Sequence, residues 1–481
     1  LEIKFRNNIN NFNVDRDESN KMEVVVYIGE SSSALHSSLY GYPFDTSSKI
    51  KSLKEKDKKF ILFEKTFANH THTTPSLQNA LSICTTDIRE NCSAVDNIDN
   101  FLSVTDIIDQ TDIESHLYST QGSLGGHNFA TKLVLNTNHS TFSFKKKIDN
   151  FLGNRYVPEI KDKSFFKNKY CGEKNIFDKS GSNLIFLHSY AGHGMYDGYS
   201  GFIEDDIKFS YPSYINKKNF LGKDLSNFKL TTEYDKTMKY IDNTIHEVIS
   251  CSLARTDETD KPLIFIYFSD HGESPASAKG HDSSRLNYEM IHVPFFIYFN
   301  DQAYNKFKGK FDYLNKISKN NITLRTLPEI LFYLFDINLS SKDNNFIHKS
   351  DNFKTLNSEY ILERKDLDGN LNRLQTLWSS NSDLDNLNEE EFEKMDVSIN
   401  LWQVNNYFNK KDYSKKNPIQ KIVCQHRANS FILQYKAALS IGCFETDVYF
   451  LKDRVISAHN LENDTNLEFT NFLNSYGSRE E

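Results

Sequence analysis

The chain has 481 residues, more than one ordinary hydrophobic core accommodates, so its length predicts roughly two or three domains. Its 38% hydrophobic and 25% charged residues are typical of a globular protein and exclude a disordered one. The net charge of −8 argues against a broad nucleic-acid-binding surface, and we expect no nucleic-acid partner.

Residues 1–20 are polar and predict a tether. The chain begins at Leu1 without a methionine or a signal-peptide pattern, which we interpret as the start of a processed chain. Its longest apolar runs have the length of strands, whereas a membrane-spanning helix needs about 20 apolar residues. Membrane helices could precede Leu1 in the native protein.

Short β-branched and aromatic runs predict buried strands at residues 24–28, 183–187, 263–268 and 293–299. Apolar residues three or four apart predict helices between them, most clearly over 234–249 and 327–335. Strands that alternate with helices predict an α/β sandwich around a largely parallel sheet. Such folds bind ligands at the carboxyl ends of their strands.

This α/β domain is predicted to cover residues 21–375. Residues 376–415 are acidic and then rich in Asn and Lys, which predicts a linker. A new strand begins near Ile422, so residues 416–481 are predicted to form a small second α/β domain.

The six cysteines include no CxxC pair, so a cysteine-based zinc site is not expected. Cys84 and Cys92 are close enough in sequence to bridge in an oxidising compartment. Free buried thiols in a cytosolic protein would explain the count equally well.

Metal-ligand side chains follow two of the predicted strands. Asp270 and His271 come directly after 263–268, and Glu30 comes just past 24–28. Where the chain leaves a sheet, neighbouring side chains can face one ion, and carboxylate oxygen and imidazole nitrogen both suit zinc. Taken alone, the Asp-His pair is more often a polar turn, and Glu30 an acid at a helix start.

Two further segments add histidines and a hydroxyl. His188 and His193 follow the strand at 183–187 and could bind a second cation or a phosphate oxygen. Pro75 and the apolar positions after it predict a helix start, where a threonine would lie beside free amides at a natural anion site. A capping hydroxyl explains that segment alone, but all four segments together predict one shared site.

The combined pattern resembles the phosphoethanolamine transferases that modify lipid A, heptose or glycans, within the alkaline phosphatase/sulfatase superfamily. The order and approximate spacing of the motifs agree over residues 22–345. The matching motifs are Gly29-Glu30-Ser31, Leu39-Tyr40-Gly41-Tyr42, residues 70–77, residues 121–127, His188 with Gly192-His193-Gly194, residues 269–274, and His281 with His292-Val293-Pro294. The resemblance implies an alkaline phosphatase-like, three-layer αβα sandwich with a central, mostly parallel sheet.

The resemblance also assigns roles by position. It implies that Thr73 is the nucleophile and that one or two Zn²⁺ ions are the cofactor. The implied ligands of the main zinc are Glu30, Thr73, Asp270 and His271. His193 and His281 would bind a second metal or the phosphoryl oxygens and act as acid or base. His127 and His188 would contact the substrate.

This chain departs from the family pattern at several positions. Ser31 stands where threonine is usual, and Ser33 where arginine is frequent. The loop 121–127 lacks the lysine that some members use, and His127 could take its place. Because Thr71 and Thr74 lie so close to Thr73, the choice of nucleophile depends on the count to Pro75. No Cys/Ser-x-Pro-x-Arg motif is present, so sulfatase activity is not expected.

A second resemblance covers residues 421–470, which are similar to the opening of a glycerophosphodiester phosphodiesterase barrel. It implies His426 and His459 as acid and base, Arg427 as a phosphate contact, and Glu445 and Asp447 as ligands of a divalent cation. A complete barrel needs about 250 residues, so we do not expect this partial domain to be active alone. Chance matches in a small packing domain are the alternative.

The resemblance implies transfer of the phosphatidylethanolamine headgroup, through a phosphothreonine, to a surface glycan or lipid acceptor. The expected location is the membrane surface on the periplasmic side of a bacterial inner membrane, if membrane helices precede the chain. One alternative keeps the metal site but makes the chain a phosphodiesterase, phosphatase or phosphoglycerol transferase. The other is a non-catalytic module that binds anionic headgroups, against which the intact set of Thr73, Glu30, Asp270 and His271 argues.

Overall fold

The structure is a computed structural model of the chain. It describes residues 8–42, 44–85, 101–121, 136–143, 145–150, 153–158, 160–172, 181–194, 196–200, 223–275, 280–281, 288–343, 346–350, 363–365, 371–373, 448–451, 454–457 and 467–468. Two compact units are present, Leu1–Asp396 and Val397–Glu481.

The strands in chain order are β1 Phe12–Arg16, β2 Glu23–Gly29, β3 Phe60–Phe63, β4 Lys65–Phe67, β5 Ser82–Cys84, β6 Phe101–Ser103, β7 Ile113–Ser119, β8 His139–Phe142, β9 Lys145–Asn150, β10 Gly153–Pro158, β11 Ser182–His188, β12 Leu263–Ser269, β13 Phe295–Phe299, β14 Asn321–Thr323, β15 Ile337–Ser341, β16 Ile347–His348, β17 Glu363–Lys365, β18 Leu371–Arg373, β19 Val448–Leu451, β20 Arg454–Ser457 and β21 Leu467–Glu468. The α-helices are α1 Ser48–Lys56, α2 Thr73–Ala80, α3 Val104–Ile108, α4 Asp162–Phe165, α5 Asp197–Ser200, α6 Lys223–Asp257, α7 Asp301–Lys306, α8 Lys308–Ile317 and α9 Thr326–Phe335.

A seven-stranded mixed sheet forms the centre of the first unit, in the order β3-β13-β12-β2-β11-β7-β8. The strands from β12 to β8 are parallel, and β13 runs antiparallel to both of its neighbours. The predicted α/β fold with a mostly parallel sheet is therefore confirmed. The four strands predicted from apolar runs are β2, β11, β12 and β13, with ends shifted by one or two residues.

Helices cover both faces of this sheet, so its middle strands are buried along their whole length. On one face, Val24, Val26 and Ile28 join a core that includes residues of α8 and α9. On the other face, α6 contacts β12. A strand buried on both faces needs a continuous apolar run, which explains why these strands could be predicted from sequence.

The N-terminal segment contains structure that its polar composition does not predict. Strand β1 pairs antiparallel with β15, and Phe12 and Val14 pack against the core. The expected tether over residues 1–20 therefore does not apply to 12–16. The apolar residues at alternate positions in this strand are the signal that sequence analysis missed.

A disulfide joins Cys171 to Cys251 on α6, a pairing that the sequence analysis did not consider. Cys84 is also disulfide-bonded, and its partner lies outside the described residues, so the pairing with Cys92 stays a prediction. The Cys171–Cys251 link spans 80 residues of sequence and therefore constrains a long loop of the unfolded chain.

Removing this disulfide should lower stability without changing the fold. We expect the double variant Cys171→Ser/Cys251→Ser to lose about 3–4 kcal/mol of unfolding free energy, because its unfolded state gains conformational entropy. Denaturant unfolding followed by circular dichroism would measure the loss. An unchanged unfolding midpoint would show that the link contributes nothing to stability.

Within the part of the chain that the structure describes, no helix combines the length and apolar character that crossing a bilayer requires. In the second unit, β19, β20 and β21 form a three-stranded antiparallel sheet. The five residues proposed for the phosphodiesterase-like segment, His426, Arg427, Glu445, Asp447 and His459, lie outside the described residues.

Candidate functional site

The carboxyl ends of three neighbouring strands meet at one edge of the sheet. In the register of the sheet, Gly29 of β2 pairs with Ser269 of β12, and His188 of β11 pairs with Ile28 of β2. The residues that follow these strands therefore leave the sheet at the same level. This register brings Glu30 and Asp270 together, although 240 positions separate them in sequence.

Four side chains converge at this edge: Glu30, Thr73, Asp270 and His271. The Thr73 hydroxyl donates to Glu30 Oε2 at 3.2 Å and lies 3.4 Å from His271 Nε2. His271 Nε2 is 3.4 Å from Glu30 Oε1 and 3.6 Å from Asp270 Oδ2. Both carboxylates and the imidazole are fully buried.

These separations fit a small tetrahedral cation. Zinc binds oxygen and nitrogen at about 2.0–2.2 Å, so tetrahedral geometry places its ligand atoms about 3.3–3.6 Å apart. The four distances above run from 3.2 to 3.6 Å. The two carboxylates, one imidazole and one hydroxyl therefore fit a zinc ion in spacing and in chemistry.

Hydrogen bonds orient the imidazole and leave one carboxylate oxygen for a cation. His271 Nδ1 lies 2.8 Å from the Gly272 carbonyl oxygen, so Nδ1 donates a hydrogen bond to that oxygen and Nε2 is the ring nitrogen that faces the site. Asp270 Oδ1 accepts from the backbone amides of Ser31 and His271. Asp270 Oδ2 is buried and makes no hydrogen bond within the described part of the chain.

The electrostatics of the site also favour a cation. Burial and the neighbouring Glu30 raise the pKa of Asp270 to about 7. Burial alone would lower the pKa of His271, but the charges of Asp270 and Glu30 raise it to about 10. The two acidic side chains thus hold a proton on the imidazole, and a bound metal ion would replace that positive charge.

Besides Thr73, two side chains hold the Glu30 carboxylate, those of Gln121 and Ser31. Gln121, just past β7, donates from Nε2 to Glu30 Oε2 and to the Ser189 carbonyl oxygen, both at 2.7 Å. Ser31 donates to Glu30 Oε1 at 2.8 Å, and its own backbone is left-handed, with φ 54°. Gln121 belongs to one of the family motifs in the sequence, but no role was predicted for it.

Gly192 allows the loop after β11 to pack directly on Glu30. Its φ is +119°, and a Cβ at this position would lie 2.0 Å from the Glu30 carbonyl oxygen. We expect Gly192→Ala to displace Glu30 and to lower zinc affinity at least about 10-fold while the protein remains folded. A zinc competition titration checks this; Gly309→Ala is a suitable control, because a Cβ there would meet nothing within 4 Å.

Thr73 is the first residue of helix α2, which follows a β-extended residue, His72. The helix is tied to the metal-ligand segment because Ser76 donates a hydrogen bond to the Asp270 carbonyl oxygen. The neighbouring Thr71 hydroxyl is instead 3.1 Å from His72 Nδ1. Of the threonines left open by the sequence, Thr73 is the one whose hydroxyl is placed between Glu30 and His271.

A family model described as sulfatase matches residues 23–333, about two thirds of the chain. This chain belongs to the sulfatase family. Among curated proteins it is similar to the phosphoethanolamine transferase EptC of Escherichia coli O18:K1:H7, with 23% identity over 293 residues. That match covers 59% of this chain and 46% of the relative, so the chain spans less than half of the relative's length.

Solved structures support the same fold for this sulfatase-family chain. The C-terminal periplasmic domain of Escherichia coli EptC, solved in complex with Zn, has a TM-score of 0.53 and 17% identity, covering 71% of this chain and 96% of that domain. The soluble domain of lipooligosaccharide phosphoethanolamine transferase A from Neisseria meningitidis has a TM-score of 0.50 and 22% identity, covering 67% and 91%. The predicted resemblance to this superfamily is confirmed.

Histidines line the mouth of the sulfatase-family site. The His281 ring lies 4.7 Å from the His271 ring, 5.2 Å from the His72 ring and 6.4 Å from the His193 ring. His72 and His193 are exposed, whereas His281 is half-buried. His193 and His281 were predicted site residues, but His72 was not. Its position directly before Thr73 is the signal that could have identified it.

The structure does not place every predicted residue at this mouth. His188 is buried at the end of β11, where its Nδ1 lies 3.4 Å from the Ser119 hydroxyl. His127 lies outside the described residues, so its predicted substrate contact stays a prediction.

Proposed function

We propose that this chain is a zinc-dependent phosphoethanolamine transferase that works through a phosphothreonine at Thr73. The donor is phosphatidylethanolamine, and the acceptor is a surface glycan or lipid. One observation carries the proposal: the hydroxyl of Thr73 lies within 3.4 Å of both Glu30 and His271, in a buried set of groups spaced like zinc ligands. The names of the similar proteins support the choice of group transferred.

In the first half of the proposed reaction, Thr73 Oγ1 bonds to the phosphorus of the lipid headgroup. The phosphorus–oxygen bond to diacylglycerol breaks, and the diacylglycerol oxygen gains a proton while Thr73 loses one. Glu30, Asp270 and His271 would hold a zinc ion together with Thr73. Such an ion supplies positive charge that lowers the pKa of a neighbouring hydroxyl and offsets charge on the phosphoryl oxygens.

In the second half, an acceptor hydroxyl bonds to the same phosphorus and the bond to Thr73 breaks. His193 and His281 lie at the mouth, where they can contact the phosphoryl oxygens, bind a second metal or carry protons. The exposed His193 and the half-buried His281 lie on the solvent side of the site, which suits a substrate whose bulk stays outside the protein.

We also propose that the chain acts at the periplasmic side of a membrane. The Cys171–Cys251 disulfide is consistent with an oxidising compartment. One relative is named a periplasmic domain and another an integral membrane protein from Neisseria meningitidis. The phosphodiesterase-like domain at 416–481, with its divalent cation, remains a proposal from motif resemblance, and the linker at 376–415 remains a proposal from composition.

Intact-mass spectrometry tests the proposed function directly. The zinc-loaded chain, incubated with phosphatidylethanolamine vesicles, should gain the mass of one phosphoethanolamine group and release diacylglycerol. Steady release of phosphoethanolamine without an adduct would contradict the proposal and show that the chain is a hydrolase. If zinc is bound but neither adduct nor product forms, the proposal fails, and the remaining alternative is a non-catalytic module that binds headgroups.

A further inference from the structure

Glu273 and Tyr196 form a chain of hydrogen bonds with His281, and neither residue has a role in the proposed reaction so far. Glu273 Oε2 lies 2.7 Å from His281 Nδ1, and Glu273 Oε1 accepts from the Tyr196 hydroxyl at 2.7 Å. Glu273 is buried, whereas His281 is half-buried at the mouth of the site. Both carboxylate oxygens are thus engaged, one by the imidazole and one by the tyrosine.

The backbone is shaped to make this contact. Gly280 has a φ of +63°, and a Cβ there would lie 1.7 Å from Glu273 Oε1. The Ser274 amide donates to the Gly280 carbonyl oxygen at 2.8 Å, which brings the chain back beside Glu273. In this left-handed conformation a side chain at residue 280 would be strained and would displace the Glu273 carboxylate, so glycine at 280 favours the placement of the next residue, His281, against that carboxylate.

Tyr196 is itself held from the helix behind the site. Its ring lies 5.2 Å from the ring of Tyr234 on α6, and its carbonyl oxygen accepts from the Thr237 hydroxyl at 3.2 Å. Tyr234 in turn donates to the Ser31 carbonyl oxygen at 2.6 Å, next to Glu30. Helix α6 therefore supports both the zinc-ligand side and the His281 side of the site.

We propose that Glu273, held by Tyr196, is the positioning residue of His281. The carboxylate accepts the Nδ1 proton, which fixes the tautomer in which Nε2 is the nitrogen that can accept a proton. Glu273 also stabilises the imidazolium that forms when Nε2 is protonated. A cation bound between Glu273 and His281 is the competing arrangement, because these atoms and His271 lie within 4.8 Å of one another, but it would break the 2.7 Å hydrogen bond.

This assignment deepens the proposed function, on which its kinetic part rests. As the acceptor oxygen bonds to phosphorus, its proton moves to His281 Nε2. The bond between phosphorus and Thr73 Oγ1 breaks, Thr73 regains a proton from solvent, and His281 releases the acceptor's proton to solvent. We therefore expect loss of Glu273 to slow discharge of the adduct. It should slow formation of the adduct less when the donor's leaving group needs no proton.

The first test reads the tautomer and needs no activity. The measurement is ¹⁵N NMR of the zinc-loaded full chain with ¹⁵N-labelled histidine. The signals of the His281 ring are assigned by their loss in His281→Gln, and they should show a proton on Nδ1. Glu273→Leu should move that proton to Nε2, and the surface control Asp312→Asn should not. A wild-type Nδ1 without a proton, or an unchanged tautomer in Glu273→Leu, would overturn the assignment.

The second test separates the two half-reactions, with 4-nitrophenyl phosphoethanolamine as the donor. Glu273→Leu should form the adduct at nearly the wild-type rate but discharge it about 100-fold more slowly, the size expected for loss of a general base. Adding His281→Gln should slow discharge no further, since the two residues act as one unit. Equal losses in both half-reactions, or additive losses in discharge, would refute the positioning role.

Two milder variants keep the test decisive if Glu273→Leu does not fold. Glu273→Gln keeps an oxygen that accepts the Nδ1 proton, so the tautomer should survive while discharge slows about 10-fold. Tyr196→Phe removes only the hydrogen bond to Oε1 and should slow discharge less than Glu273→Gln does. If wild type forms no adduct, the proposed function fails, and the ring-nitrogen measurement still decides the assignment of Glu273.

Discussion

Replacing Thr73 with alanine is expected to abolish the phosphoethanolamine adduct and to lower transfer by about 10³-fold or more. The reason is geometric, because Thr73 supplies the hydroxyl placed between Glu30 Oε2 and His271 Nε2, at 3.2 and 3.4 Å. The remaining carboxylates and imidazole should still bind zinc, though more weakly. Intact-mass spectrometry after incubation with phosphatidylethanolamine, with zinc content measured in the same sample, checks both parts.

The neighbouring Thr74 provides a matched control, since it is the next residue of the same helix. We expect Thr74→Ala to keep the adduct, and Thr73→Ser to form it more slowly because serine retains a hydroxyl. An adduct of unchanged amount in Thr73→Ala would refute the nucleophile assignment. Loss of the adduct in Thr74→Ala alone would move the assignment by one residue.

Replacing Asp270 with asparagine is expected to lower zinc affinity at least about 100-fold, because loss of a supporting residue alone costs up to that much and Asp270 is a direct ligand candidate. Its Oδ2 is buried and lies 3.6 Å from His271 Nε2. The amide keeps the size of the side chain but removes the charge that a cation needs. Competition with a chelator measures the affinity, and Asp312→Asn on the surface helix α8 is the control.

The same site predicts how zinc affinity depends on pH. The pKa of His271 is raised to about 10, so below that pH zinc must displace a proton from the imidazole. Affinity should therefore rise about tenfold per pH unit as pH increases toward 10, and more steeply below about 7, where Asp270 also binds a proton. Zinc competition between about pH 6 and 9 checks this slope, and a flat profile would contradict the proposed ligand set.

The strands that carry the site could be predicted from the sequence because each is buried on both faces. Full burial requires continuous apolar runs such as those of β2, β11 and β12, and these can be recognised without knowing what covers them. Glu30 and Asp270 follow directly after β2 and β12, so both had to lie near the carboxyl edge of one sheet. Strand β1 was missed because it is short and mostly polar, and it is defined by pairing with β15.

The chemical types at the site were also visible in the sequence, but the partners of each group were not. Gln121 and Gly192 hold Glu30 from segments roughly 90 and 160 positions away, a contact that depends on strand order. Likewise, Tyr196, whose ring packs against Tyr234 of α6, donates a hydrogen bond to Glu273, 77 positions away in sequence. Such supporting contacts follow no local pattern.

By itself, the sequence determined the fold class, the family motifs and the set of candidate ligands, because burial periodicity and residue chemistry are local properties. Only the tertiary structure decided that the hydroxyl of Thr73 faces Glu30 and His271, that His188 is buried beside Ser119, and that Glu273 supports His281. The physical reason is that hydrogen bonds and metal coordination depend on distances of about 2–3.5 Å between atoms. Sheet register and loop packing set those distances, and neither is encoded by neighbouring residues alone.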